Sequence, residues 1–126
     1  MADGSLVSSG SSGNMPTGSG SERLRRLSLE GLNADWQEIL SGTAGHIYTI
    51  LSIIFQDQQG AAGTCSIRVN TGSDEIKLLE SFAFGLINRT FVWNDKFVME
   101  GDDDLDVYNS TNDGDWYVSY IDQDWT

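Results

Sequence analysis

At 126 residues the chain holds one domain, with room for an arm. A formal net charge of -12 argues against nucleic acid or an anionic membrane as the main partner, and the single cysteine, Cys65, excludes an intrachain disulfide framework. The longest apolar run, Ile47 to Phe55, is interrupted by Thr49 and Ser52 and falls far short of the roughly 20 residues a membrane helix needs, and the N-terminus lacks the basic start and apolar run of a signal peptide.

Residues 1–20 are nearly all Gly, Ser, Ala, Thr, Asn and Asp, with isolated Leu6, Val7, Met15 and Pro16. Ser8-Ser9-Gly10-Ser11-Ser12-Gly13 has the composition of a linker. Such a segment cannot bury enough apolar surface to offset an ordering entropy of roughly 1–2 kcal/mol per residue. Residues 1–33 therefore read as an arm, disordered alone and ordered when it lies along a neighbouring chain. Residues 34–126 read as the folded domain.

Ser21 to Leu32 carries two signals. Ser21 can cap a helix, Glu22 suits its N-terminus, Leu24 and Leu27 lie three apart, and Gly31 can end it. Arg26-Leu27-Ser28-Leu29-Glu30 also alternates like a strand. Such a short helix is marginal in water, so this reads as an arm segment ordered by docking, or as a solvated helical turn. Its partner-contacting residues are expected to be Arg23, Leu24, Arg25, Arg26, Leu27 and Leu29. Arg23, Arg25 and Arg26 are three of the chain's seven Lys and Arg residues. After Lys96 come only acids: Glu100, Asp102, Asp103, Asp104, Asp106, Asp113, Asp115, Asp122 and Asp124. A basic arm root and an acidic C-terminal region suit subunits that meet head to tail.

From Ala34 the pattern is β. Trp36 to Leu40 gives a first strand, closed by Ser41-Gly42-Thr43-Ala44-Gly45. Gly45 to Gln56 and Thr64 to Asn70, rich in β-branched and aromatic residues, flank a Gln/Gly/Ala break and read as a central hairpin. Glu75 to Glu80 is another strand, and Phe82 to Ile87, apolar on both sides, reads as a crossing between sheets. Thr90 to Trp93, a turn at Asn94-Asp95, and Lys96 to Glu100 follow. Asp104 to Asn109 alternates charge outward and apolar inward. Asn112-Asp113-Gly114-Asp115 reads as a hairpin turn before Trp116 to Ile121. About eight strands at this spacing predict an all-β fold, an antiparallel β-sandwich or jelly roll.

Asp102, Asp104 and Asp106 at alternate positions are the one metal candidate, a loop of calcium-binding type. The EF-hand pattern fails because Val107 stands where glycine is needed. The competing reading is a solvated edge whose charges prevent strand pairing. His46 lacks the partners of a triad or a zinc site and reads as a strand-entry residue, and Cys65, alternating with Ile67 and Val69, as a small core residue. Trp125, near the C-terminus, reads as an inter-subunit contact. No cofactor is implied, and no enzyme activity is expected.

Two segments resemble small tailed-bacteriophage virion proteins in which an arm precedes a β-sandwich. Ile47-Tyr48-Thr49-Ile50-Leu51-Ser52-Ile53, with Asn70-Thr71 after the next strand, is similar to that group's Ile-Tyr-Thr strand. Gly101-Asp102-Asp103-Asp104-Leu105-Asp106-Val107 is similar to its Gly-Asp-x-Leu-x-Val turn and strand, with two extra acids. The resemblance spans about residues 45–122. It implies a structural virion protein: capsid decoration (cement) bound to the major capsid protein, or a neck, tail or fibre-attachment component. A homo-oligomer, a trimer foremost, is expected, located in the virion. A carbohydrate-binding module using exposed Trp and Tyr is the reading from another class.

Overall fold

The computed structural model describes residues 20–87 and 89–126. These form nine β-strands: β1 (Ser21–Leu32), β2 (Trp36–Ser41), β3 (His46–Asp57), β4 (Gly63–Asn70), β5 (Glu75–Phe84), β6 (Thr90–Trp93), β7 (Phe97–Glu100), β8 (Asp104–Asn109) and β9 (Gly114–Asp124). One sheet runs β1-β9-β3, with β6 and β7 both on the far side of β3; the other runs β2-β8-β4-β5. Every pairing is antiparallel. The expected all-β sandwich is the fold observed. It has nine strands rather than about eight because Ser21–Leu32, read from the sequence as part of the arm, adds a strand to the first sheet.

The core lies between the sheets, built from the inward alternation of each strand. Ile50, Ile53 and Phe55 of β3 meet Trp116 and Val118 of β9, Ile67 of β4, and Leu105 and Val107 of β8. Phe55 is its aromatic centre, 4.7 Å from the Trp116 ring and 5.2 Å from Phe84. Cys65 is fully buried there, and burial pushes its thiol up to about 12.

Five local expectations change. β3 and β4 are not a hairpin: they lie in opposite sheets. The break between them bends around the buried Asp57 carboxylate, which accepts hydrogen bonds from the amides of Gly60 (2.9 Å), Ala61 (3.3 Å) and Gln59 (3.4 Å) and from Thr111 Oγ1 (2.7 Å). Burial alone would raise this carboxyl, but the hydrogen bonds from Thr111 and the loop amides outweigh it and hold it below the usual range. Asn112 to Asp115 is likewise a crossing, from β8 to β9.

Phe82 to Phe84 belong to β5, which continues past a bulge at Ser81 (φ 52°), so the crossing starts at Gly85. The Ser81 amide bonds to Ser66 Oγ at 2.9 Å. Asn94-Asp95 does not reverse the chain. β6 and β7 lie end to end along β3, and Trp93 Nε1 donates to the Asp95 carbonyl at 2.8 Å across the interruption.

Finally, Ser21–Leu32 is a strand, not a helix. The alternation of Leu27 and Leu29 wins because both can pack on the core when β1 pairs with β9. This segment, read as part of an arm, is the edge strand of the first sheet. Residues 1–19 lie outside the described residues.

Candidate assembly surface

The two sheets present different outer faces. On the second sheet, the outward positions of β2, β8 and β4 are mostly polar. Arg68 is the hub: Nε lies 2.9 Å from Asp106 Oδ2, Nη1 2.9 Å from Glu75 Oε2, and the guanidinium 4.0 Å over the Trp36 ring. Trp36 in turn packs on Tyr108 with centroids 5.4 Å apart. Burial pushes the Asp106 carboxyl up, with the Arg68 hydrogen bond and charge opposing.

That cluster redefines the calcium candidate. Asp104 and Asp106 do alternate on β8, but Asp106 is buried and engaged by Arg68, while Asp102 sits in the preceding turn at φ 79°. Among the described residues no group of three His, Cys, Asp or Glu is placed to hold a metal ion.

The first sheet's outer face is striped with apolar residues. Ser28, Tyr117, Ile54 and Val92 are successive partners across β1, β9, β3 and β6. Leu24, Ile121, Thr49 and Val98 form a second row across β1, β9, β3 and β7. Leu24 is 75% exposed and Val98 61%. Arg26 lies between the rows on the same face, its guanidinium 5.7 Å from the Tyr117 ring centroid. A shallow hollow of about 260 Å³ opens beside Ser28, Glu30, Ile54 and Tyr117. β1 ends the sheet, and among the described residues its outer edge has no strand partner.

The residues expected to contact partners divide along β1. Leu27 and Leu29 are half-buried against this chain's own core. Arg23, Leu24, Arg25 and Arg26 remain exposed. Trp125 is 37% exposed; its ring lies against Gly20, leaving no room for a Cβ there, and its amide donates to the Gly45 carbonyl at 2.9 Å.

A polar cluster missed by sequence reasoning closes the same end of the sheet. His46, at the start of β3, places Nδ1 2.7 Å from Asp122 Oδ1 and Nε2 3.5 Å from Asp124 Oδ1, both on β9. Arg25 Nε lies 3.4 Å from Asp122 Oδ2. The alternation of Asp122 and Asp124 was visible in the sequence. Their pairing with His46 follows only from β3 and β9 being neighbours.

No protein-family model matches this chain, and no curated protein matches it. Its fold is similar to a solved structure from Bacillus endospore appendages, described as a novel family of disulfide-linked pili. That similarity covers 97% of this chain and 100% of the other, with a TM-score of 0.50 and 12% sequence identity. At that identity the likeness shows a shared fold alone.

Proposed function

We propose that this chain is a structural subunit that assembles with copies of itself into a filament or coat. The observation that carries the reading is the first sheet: Leu24, Tyr117, Ile54, Val92 and Val98 stand exposed on its outer face, and the outer edge of β1 has no strand partner among the described residues. A contiguous apolar patch and a long open strand edge are the two surface features that soluble monomers suppress. β1 is long and interrupted by a bulge only near its end, whereas the opposite edge is broken between β6 and β7. The fold shared with a pilus subunit supports a structural role. Capsid decoration, expected from the sequence resemblance, would use the same surface on a phage shell and is the alternative the test separates.

The test is sedimentation velocity and negative-stain microscopy across a concentration series. Extended or closed particles of defined symmetry are expected, lost in Ile54→Lys and Val98→Lys. Both variants should keep thermal stability within about 0.5 kcal/mol of the parent, since both sites face solvent. A chain that stays monomeric at all concentrations, yet co-sediments with phage heads, would replace self-assembly with decoration.

A further inference from the structure

We infer that β1 pairs with β1 of a second copy, antiparallel about a twofold axis at Ser28, so that the first sheet runs on from one copy into the other. This pairing depends on the self-assembly proposed above and adds its strand, its partner and its register. Of the four sheet edges, three carry a feature that blocks further strand pairing. β2 has a register shift between Glu38 and Leu40. β5 is kinked at Ser81, where φ is 52°. The β6–β7 edge is interrupted between Trp93 and Phe97. β1 alone follows its neighbour without a shift from Ser21 to Leu29.

The two halves of that edge differ. Arg23 and Arg25 share the core-facing side of β1 with Leu27 and Leu29, and charge on that side discourages another strand. Beyond Arg25 the protection ends. Arg26, Ser28 and Glu30 are exposed on the outer face: Arg26 lies over the Tyr117 ring, and Ser28 and Glu30 line the hollow beside it.

Symmetry and charge then select the register. A twofold axis normal to the sheet keeps both cores on one side. Each residue falls opposite one that points the same way, and the axis must pass through a residue. Centred on Leu24, the pair sets Arg23 against Arg25 of the second copy, and like charges directly opposite destabilise a sheet. Centred on Glu22, Arg23, Arg25, Arg26 or Glu30, a charged residue meets itself. Centred on Leu27 or Leu29, no opposite charges meet. Centred on Ser28, Arg26 of each copy faces Glu30 of the other, twice by symmetry, and no like charges are opposed. In the same register Leu27 faces Leu29. Both are half-buried against the core, so the apolar layer between the sheets continues across the join.

Sedimentation velocity of the full chain on dilution tests it, the last associated species being a dimer. Arg26→Glu alone, or Glu30→Arg alone, turns both ion pairs into like-charge contacts and should raise the dimer dissociation constant about tenfold or more. The double variant, and an equimolar mixture of the two single variants, each restore both pairs and should return to within about threefold of the parent. A second measurement reads the axis itself. Ser28→Cys sets two thiols opposite each other and should cross-link to a dimer under mild oxidant, with Cys65 buried and out of reach, whereas Glu22→Cys should not. Assembly that the single variants leave unchanged, that mixing them does not rescue, or that Ser28→Cys does not cross-link would overturn this pairing and leave self-assembly standing. A chain that stays monomeric at every concentration would overturn both.

Discussion

Trp116 and Asn109 meet inside the sandwich, where the indole Nε1 donates to Asn109 Oδ1 at 3.0 Å. The Asn109 amide nitrogen, fully buried, donates in turn to the carbonyls of Leu32 (3.0 Å) and Thr111 (2.6 Å). One side chain thus joins the end of β1, the crossing after β8 and the largest core residue of β9. Gly114 packs so closely on this carboxamide that a Cβ would lie 2.6 Å from its Cγ.

Removing that carboxamide should be costly. Asn109→Ala strands one buried donor and two buried carbonyls at once, and each unsatisfied group costs about 1–3 kcal/mol. A loss of roughly 3 kcal/mol or more in urea unfolding is expected, above the typical single substitution. A loss under about 1 kcal/mol would mean that water fills the site.

Asp57 should make stability acid-sensitive. Its folded-state carboxyl lies below the unfolded value, because the Thr111 and loop-amide hydrogen bonds exceed the burial that would raise it. The native state therefore prefers the ionised form. That contribution is complete above the unfolded carboxyl value of about 3.9 and disappears as pH falls through the folded one. Asp57→Asn should be less stable than the parent at pH 7, with the gap closing on acidification. Urea midpoints from pH 7 down to about pH 2 give the comparison, and a constant gap would remove Asp57 from the acid response.

Cys65 bears on how copies could join. The appendage pili that share this fold are described as disulfide-linked. Here the one cysteine is fully buried and its thiol is pushed up to about 12. A thiolate is the reactive form, so native Cys65 should resist a thiol reagent and react only on unfolding. Any assembly should keep its mass in reductant. Rapid labelling of the folded protein, or particles that fall apart in dithiothreitol, would contradict this.

The strands were largely legible in the sequence, and their partners were not. Alternation in Asp104–Asn109 and Trp116–Ile121 marks strands because inward positions must be apolar wherever one face is buried. The same alternation carries no label for which neighbour each edge will choose. Asn112-Asp113-Gly114-Asp115 and the Gln/Gly/Ala break look like hairpin turns, but a crossing between sheets uses the same polar residues. The buried carboxylate of Asp57 and the carboxamide of Asn109 shape those corners through contacts more than 50 residues distant, with Thr111 and Leu32.

By itself, the sequence determined the class: an all-β fold, with Cys65 and the apolar positions of Asp104–Asn109 turned inward, because burial of alternating apolar side chains is a local instruction. Only the tertiary structure decided that Ser21–Leu32 joins the sheet, that Leu27 and Leu29 turn inward while Leu24 stays exposed, and that His46 sits between two carboxylates. Each depends on β9 lying between β1 and β3. That order is set by how the whole set of apolar faces packs, a global minimum that no single stretch encodes.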